Sequence, residues 1–223
     1  IIEALKTNEL EENTIVIFQS DHGHSVESRA FGGGGSAGPY RGSKMSLFEG
    51  GIRVPAIISY PKQIPENQER NQLALNIDWF PTIMDYVGGE AQNLEGKSLR
   101  PLIENALEET KHETFRWKQG VSWAIRKGDW KLIGFPQDPT KKIPLDPEND
   151  VLFLSNLKTD SREIDNLASQ YPEKIKELLD STIEELFSCT YKMLSIIFLP
   201  ILILFNHNEF LSFSSKIPLK FIK

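Results

Sequence analysis

The first hydrophobic pattern in the chain predicts a helix followed by a buried strand. Residues 1–10 place apolar side chains on one side of a helix and charged side chains on the other. After a polar turn, residues 14–18 form an unbroken apolar run that is rich in β-branched and aromatic residues and too short for a buried helix. Because the run does not alternate with polar residues, we expect a strand buried on both faces, as in a parallel sheet. A helix, a turn and a parallel strand form the repeating unit of doubly wound α/β folds.

Two further apolar segments predict more elements of the same α/β domain. Residues 54–60 are a second apolar run, which predicts another strand. Residues 76–87 carry apolar side chains at helical spacing, with Asn76 as the candidate N-cap and Gly88 just beyond the end. We therefore expect part of a mixed, mainly parallel sheet flanked by helices over residues 1–103.

The pattern changes towards the C-terminus and predicts a small antiparallel sheet with one covering helix. Two apolar segments flank the turn Lys127-Gly128, which is a hairpin signal, and a third strand is predicted at 151–154. A helix is predicted from about Pro172, because proline fits a first helical turn and apolar residues recur at helical spacing after it. We expect residues 104–187 to form this α+β subdomain, with a charged link at 104–114 at its start.

The last segment, residues 188–223, differs in composition from the rest of the chain. It holds 17 Phe, Leu or Ile in 36 residues, and its longest apolar core, 194–205, is 12 residues long and contains Pro200. A helix needs about 20 apolar residues to span a bilayer, so a full span is not expected. A membrane-surface anchor, a buried hairpin and a non-native terminus remain open. The lack of turn and cap signals favours the third, and membrane contact is expected only if 194–205 is native.

Charge and cysteine content exclude some classes of protein. The formal net charge of −6 argues against a general nucleic-acid binder, which usually presents a basic surface. The single cysteine, Cys189, rules out a disulfide framework within the chain. The chain opens within a helical pattern, so we expect an N-terminal part to precede it.

Ionisable residues cluster where the first strand ends. Asp21, His22 and His24 follow the strand directly, which is where open α/β sheets bind ligands. A glycine-rich loop then leads to Lys44 and to a second glycine-rich turn at 49–51. The loop is not a P-loop, because Ser43 separates Gly42 from Lys44. A mobile surface loop and a rim that lets backbone approach a bound anion are both compatible with four consecutive glycines.

Three motifs follow one another in this stretch, and together they resemble a known family. They are Ser20-Asp21-His22-Gly23, Gly42-Ser43-Lys44 and Phe48-Glu49-Gly50-Gly51-Ile52-Arg53-Val54-Pro55. Asp-His-Gly alone occurs by chance, but the ordered set at this spacing resembles the C-terminal half of sulfatases, which belong to the alkaline-phosphatase-like superfamily. The resemblance extends over roughly residues 1–187 and includes a weaker match at 76–88. It implies an alkaline-phosphatase-like fold and a sulfuric ester hydrolase.

The resemblance also implies roles for individual residues. Asp21 stands where the family has a metal-binding aspartate, usually with Ca²⁺, and a carboxylate suits Ca²⁺ or Mg²⁺. His22 stands at the second metal-side position, although imidazole is a less usual ligand for a hard ion. Lys44 is expected to contact the substrate sulfate and to act in catalysis. His24 is a weaker catalytic candidate, and Arg41 can face an anionic group of the substrate or pair with Glu27 or Glu49.

One part of the family's machinery has no counterpart in this sequence. Sulfatases use a formylglycine made from the Cys or Ser of a Cys/Ser-x-Pro-x-Arg motif, and Cys189 lies in Ser-Cys-Thr-Tyr-Lys instead. The formylglycine is therefore expected in a missing N-terminal part, and we expect this chain alone to be inactive.

Alternatives to a sulfatase remain. A phosphoesterase or phosphonate hydrolase of the same superfamily uses Asp-His-Gly with other metals, and a non-catalytic fragment that binds a sulfated glycan belongs to another class. The resemblance implies a sulfated small molecule or polysaccharide as substrate and a secreted, periplasmic or lysosomal location.

Overall fold

The structure is a computed structural model that describes residues 1–28, 31 and 33–188, with side chains up to residue 181. The N-terminal part contains helix α1, a 3-10 turn at Glu11–Asn13 and strand β1. The glycine-rich stretch that follows β1 leads to the one-turn helix α2 and then to strand β2. These elements have the following bounds: α1, Ile2–Thr7; β1, Val16–Gln19; α2, Glu49–Ile52; β2, Ala56–Ser59.

The two predicted N-terminal strands exist, but they pair antiparallel. Val16 lies opposite Ser59 and Gln19 lies opposite Ala56 in a two-stranded sheet. The parallel arrangement is therefore not confirmed, and the expected burial of β1 on both faces is wrong for the described residues. Phe18 exposes 71% of its surface, and its cross-strand neighbour Ile57 exposes 61%. An apolar run indicates that a strand favours burial, but it does not say which strand lies beside it.

The predicted helix at 76–87 is confirmed with a different beginning. A 3-10 turn at Asn76–Asp78 precedes helix α3 at Trp79–Val87, and Gly88 ends the helix in the left-handed conformation with φ 73°. The expected N-cap is wrong, because Asn76 lies inside the turn and the carboxylate of Asp78 accepts the N–H of Leu75 at 2.7 Å. A short helix α4 follows at Arg100–Glu104.

The antiparallel C-terminal sheet is confirmed and has four strands. Its order is β3-β4-β5-β6, and helix α5, Pro172–Ser188, begins against it with Lys174 over the ring of Trp130 and Leu178 fully buried. The strands are β3 at Thr114–Gln119, β4 at Ser122–Lys127, β5 at Trp130–Gly134 and β6 at Leu152–Asn156. Strand β3 was not predicted, because its charged residues continue the polar segment before it.

A buried apolar cluster connects this sheet to the glycine-rich stretch near α2. Leu47 and Phe48 pack with Ala124, Ile133 and Phe153 of the four-stranded sheet. The rings of Phe48 and Phe153 meet edge to face with centroids 5.2 Å apart. The segment that precedes α2 therefore shares one core with the C-terminal sheet.

The domain boundaries at 103/104 and 187/188 stay predictions. Residues Ile1–Leu178 form one compact unit and Leu179–Lys223 form another, and all candidate site residues lie in the first. The apolar core at 194–205 lies outside the described residues, so its interpretations stay open as well. Among the residues that are described, no helix has both the length and the apolar character needed to cross a bilayer.

Candidate functional site

Three backbone hydrogen bonds bring the motifs of the glycine-rich stretch together. The N–H of Gly23 donates to the carbonyl of Gly51 at 2.9 Å, and the N–H of Lys44 donates to the carbonyl of His24 at 2.9 Å. The N–H of Gly50 donates to the carbonyl of Arg41 at 2.7 Å. The loop after β1 is thus fixed against the segment from Arg41 to Gly51.

Close backbone packing explains why glycine occupies three of these positions. A Cβ atom added at Gly23 would lie 1.9 Å from the carbonyl oxygen of Gly50. At Gly50 it would lie 2.5 Å from the carbonyl oxygen of Arg41, and at Gly51 it would lie 2.1 Å from that of Ser46. Real Cβ atoms do not approach so closely, so the three chain segments can meet in this arrangement only without side chains.

Asp21 and His22 form an exposed pair at the end of the loop after β1. Nε2 of His22 lies 3.2 Å from Oδ2 of Asp21, whose side chain is 82% exposed. The backbone N–H of His22 donates to Oδ1 of Asp21 at 3.0 Å, and Nδ1 of His22 lies 2.8 Å from the carbonyl oxygen of Gly23. One carboxylate and one imidazole are therefore next to each other and open to solvent.

A divalent cation would find an incomplete set of ligands here. Ca²⁺ takes six to eight oxygen ligands. Within residues 1–28, 31 and 33–188, no three His, Cys, Asp or Glu residues lie close enough to hold a metal ion. The carboxylate of Asp21 fits a hard ion, and His22 fits it less well. These two residues can supply only part of a metal site.

Lys44 lies beside a carboxylate that the sequence interpretation did not assign to the site. Its Nζ is 3.1 Å from Oε2 of Glu27, and both side chains are partly buried. The sequence analysis offered Glu27 as a partner of Arg41. In the structure, Glu27 pairs with Lys44 and Arg41 pairs with Asp138. An ammonium group held close to solvent by one carboxylate is able to exchange that partner for another anion.

His24 is the third ionisable residue on the loop after β1. Its carbonyl oxygen accepts the N–H of Lys44, so its backbone touches the predicted sulfate-binding residue. Its ring atom Nδ1 is buried and has no hydrogen-bond partner among the described residues. Buried polar atoms are normally paired, so this nitrogen is available to a group that comes from elsewhere.

Arg41 has a buried guanidinium that is fully engaged inside the protein. Its Nε lies 3.1 Å from Oδ2 of Asp138, and both side chains are 2% exposed. Its two terminal nitrogens donate to the carbonyl oxygens of Glu163 and Ile143, each at 3.0 Å. The guanidinium also stacks on Phe48, 4.2 Å from the ring centroid. Substrate contact by Arg41 stays a prediction, and its observed partners are all protein groups.

A buried charge cluster lies next to Arg41. Nζ of Lys131 on β5 is 2.9 Å from Oε1 of Glu49 and 3.1 Å from Oε1 of Glu163. The backbone N–H of Glu49 donates to Oε2 of Glu163 at 2.5 Å. Arg126 and Arg53 approach Glu49 at 3.6 and 3.8 Å.

The pKa values of the two carboxylates in this cluster shift in opposite directions. Burial alone would raise the pKa of Glu49, but Lys131, Arg126 and Arg53 together lower that pKa below its ordinary value. Burial raises the pKa of Glu163 above its ordinary value, and the negative charge of Glu49 adds to the rise against the opposing effect of Lys131.

The sequence analysis did not identify the acidic and basic residues that contact Arg41 and Glu49 from distant parts of the chain. Asp138, Lys131 and Glu163 lie 82 to 122 positions along the chain from their partners Arg41 and Glu49. No local pattern marks a charged residue for burial. One signal was present for Lys131, because it stands inside an otherwise apolar strand, where a lysine needs a buried partner.

The comparisons with known proteins agree with the motifs. The family model described as Sulfatase matches residues 1–89, which contain every candidate site residue. The chain is 37% identical over 139 residues to steryl-sulfatase of Rattus norvegicus, in a match that covers 56% of the chain and 24% of that relative. It is 29% identical over 195 residues to arylsulfatase K of Gallus gallus, covering 80% of the chain and 32% of that relative. The chain thus spans about a quarter to a third of the length of these curated relatives.

Solved structures agree as well. A protein of the core locus for glycosaminoglycan metabolism in Bacteroides thetaiotaomicron superposes with a TM-score of 0.63 and 27% identity, over 83% of this chain and 41% of that one. A protein solved with its substrate D-glucosamine-2-N,6-O-disulfate superposes with a TM-score of 0.58 and 25% identity, over 82% of this chain and 36% of that one. The mixed α/β fold is therefore part of the alkaline-phosphatase-like class. Within that class, residues 1–89 match the sulfatase family model, as the motifs predicted.

Proposed function

We propose that this chain is part of a sulfuric ester hydrolase and supplies its sulfate-binding and metal-side residues. The observation that carries the proposal is that the backbone of Gly23 and His24, which directly follow Asp21 and His22, is hydrogen-bonded to Lys44 and Gly51 inside the region that matches the Sulfatase family model. The activity belongs to the whole protein, because the chain spans only part of its relatives and lacks the Cys/Ser-x-Pro-x-Arg motif.

Lys44 is the residue that binds the sulfate in this proposal. Its ammonium group would leave Glu27, now at 3.1 Å, and donate to a sulfate oxygen, which neutralises charge that grows during cleavage of the ester. His24 would hold a proton beside it for the leaving oxygen, which is supported by its buried and unpaired Nδ1. For Arg41 we propose a supporting role, since its donors are already used by protein groups.

Asp21 and His22 would contribute to a divalent cation site, with Ca²⁺ as the ion that suits the carboxylate. The remaining ligands would come from other parts of the protein, as would the formylglycine nucleophile. A bound cation would draw electron density from the sulfate oxygens. Within this chain, Asp21 orients the ring of His22, and the carbonyl oxygen of Gly23 holds it from the other side.

For the substrate we propose a sulfated saccharide or a sulfated small molecule. One structural neighbour of 25% identity was solved with D-glucosamine-2-N,6-O-disulfate, and the curated relatives include a steryl-sulfatase. We also propose a secreted, periplasmic or lysosomal location, which rests on the resemblance alone. In the complete protein, β1 and β2 would belong to a larger mixed sheet, which is supported by their exposed Phe18 and Ile57.

The test is a hydrolysis assay on the longest product of the gene that contains this chain. A fluorogenic aryl sulfate should be hydrolysed, and Lys44→Met should lower kcat/KM by about 10²-fold or more, because one electrostatic donor is lost. Lys158→Met is the matched control, since Lys158 is an exposed lysine in the turn after β6, and it should leave the rate unchanged. Equal rates for Lys44→Met and the unaltered protein would contradict the proposed role of Lys44.

A phosphonate monoester hydrolase is the second candidate. A structure with that function from Silicibacter pomeroyi shares the fold at a TM-score of 0.61 and 18% identity. The same assay separates the two functions, because a sulfatase should prefer the aryl sulfate over a matched aryl phosphonate. A preference for the phosphonate, with Zn²⁺ or Mn²⁺ restoring activity after chelation, would favour the second candidate.

A further inference from the structure

Lys131 is buried between two carboxylates that belong to different parts of the chain. It is 0% exposed, as is Glu163, and Glu49 is 3% exposed. Lys131 comes from β5 and Glu163 follows β6. Glu49 is the first residue of α2 and follows Lys44, the proposed sulfate-binding residue, in the chain. The ammonium group therefore connects the C-terminal sheet directly to the glycine-rich turn.

Such an arrangement is not explained by stability alone. Removing three charged groups from water is costly, and a buried ion pair is often no more stabilising than apolar residues of the same volume. What the cluster does provide is a defined geometry, because its carboxylate oxygens, the ammonium of Lys131 and the backbone N–H of Glu49 are held by specific hydrogen bonds. The backbone N–H of Glu49 is itself one of these partners, so the cluster fixes main chain and not only side chains.

A second buried contact fixes the other end of the same segment. Arg41 donates to Asp138 and to the carbonyl oxygens of Glu163 and Ile143, all of which lie beyond β5 in sequence. Lys44 lies between the two fixed points. The residues that hold this segment from both ends thus come from the C-terminal part of the chain.

We propose that Lys131 is a positioning residue, which together with the contacts of Arg41 holds segment 41–49 so that Lys44 is presented to the substrate sulfate. The C-terminal sheet then acts as part of the site without touching the substrate. The inference goes beyond the proposed function and rests on it for the role of Lys44, but the placement of the segment can be measured independently.

The test compares two replacements of the cluster in the 223-residue chain. Lys131→Met alone leaves two buried carboxylates without their cation, so it should lower the melting temperature. The triple variant Glu49→Gln/Lys131→Met/Glu163→Gln removes the charges of Lys131 and of both carboxylates, so it should recover part of that loss, while Arg126 and Arg53 lose their contact with a charged Glu49. Lys158→Met is the control, because Lys158 is an exposed lysine in the turn after β6.

The decisive readout is amide hydrogen exchange at Lys44 and Gly50, whose N–H groups form the site's backbone hydrogen bonds. In the triple variant, exchange at these amides should rise at least tenfold, while exchange in β4 stays within a factor of two. Asp138→Asn should raise exchange at Lys44 as well, and Lys158→Met should change neither amide. Unchanged exchange at Lys44 and Gly50, or an equal rise throughout β4, would overturn the proposal.

Inorganic sulfate separates this proposal from the proposed function. In an NMR titration of the chain, Lys44→Met should weaken sulfate binding, and the triple variant should weaken it to a similar degree. If Lys44→Met has no effect, the proposed role of Lys44 fails while the exchange result still decides the positioning role. If Lys44→Met weakens binding and the triple variant does not, the positioning role fails and the sulfate-binding role stands.

Discussion

Gly50 is one of three glycines on which the geometry of the site depends directly. Its Cα faces the carbonyl oxygens of Arg41 and Gly42, and a Cβ atom would lie 2.5 Å from both. The same residue donates its N–H to Arg41. Backbone that packs against backbone has no flexible side chain to move aside, so a methyl group at this position has to displace a whole segment.

We therefore expect Gly50→Ala to destabilise the protein by about 1–3 kcal/mol, the usual cost of overpacking. Urea unfolding of the purified chain measures the change. Gly34→Ala is the matched control, because a Cβ atom at Gly34 would have no neighbour within 4 Å. Equal stabilities of the two variants would show that the segments separate easily.

At the scale of residues, the sequence indicated which side chains belong to the candidate site but not which residues they contact. The motifs pointed to the stretch after β1 as the site, and backbone hydrogen bonds of Gly23 and Lys44 do join its parts. The sequence did not predict that Asp138 binds Arg41, since the two are 97 positions apart. Long-range ion pairs produce no periodic pattern in a sequence. The roles of the five candidate site residues stay predictions: Asp21, His22, His24, Arg41 and Lys44.

At the scale of elements, one buried carboxylate connects α3, the loop before α4 and the approach to β3. Asp78 accepts hydrogen bonds from the N–H groups of Leu75 and Lys97, at 2.7 and 2.8 Å. Its Oδ1 also lies 2.8 Å from Nε2 of His112, and Asp78 is fully buried. Three segments of the chain therefore meet at one side chain.

Asp78→Ala should lower the free energy of unfolding by about 1–3 kcal/mol for each buried donor left unpaired. Equilibrium urea denaturation measures the loss. Asp85→Ala on the same helix should cost at most about 1 kcal/mol, because the contacts of Asp85 with Ser98 and Arg100 are exposed. A loss for Asp78→Ala no larger than that of Asp85→Ala would mean that water replaces the buried contacts.

The elements themselves were predicted where the local pattern is strong. The hairpin around Gly128 and the helix that ends at Gly88 follow from residues that take positive φ, here 57° and 73°. Strand β3 was missed because Arg116, Lys118 and Gln119 make it resemble the polar segment before it. The antiparallel pairing of β1 with β2 could not be predicted, since an apolar strand can pair with a parallel or an antiparallel neighbour.

At the scale of the whole molecule, the buried cluster makes stability depend on pH. The raised pKa of Glu163 means that the folded protein binds this proton more tightly than the unfolded chain does. The contribution of Glu163 to stability therefore falls as pH rises from about 4.5 to its raised folded value. The lowered pKa of Glu49 acts in the opposite sense, because its contribution is present above about 4.5 and is lost below.

Glu163→Gln should remove the first of these effects. The difference in unfolding free energy between the unaltered chain and the variant should decrease as pH rises from about 4.5 towards neutrality. Melting curves at a series of pH values measure it, with Glu148→Gln, at an exposed site, as the control substitution. A difference for Glu163→Gln that does not change with pH would show that Glu163 titrates alike in both states.

The pairing of Lys44 with Glu27 gives the site a resident competitor. An incoming anion has to displace a carboxylate that is tethered to the same loop and is always at hand, so its apparent affinity reflects an exchange and not simple occupation. In the role proposed for Lys44, the substrate sulfate, which has several oxygens, would compete for the ammonium group with this single carboxylate.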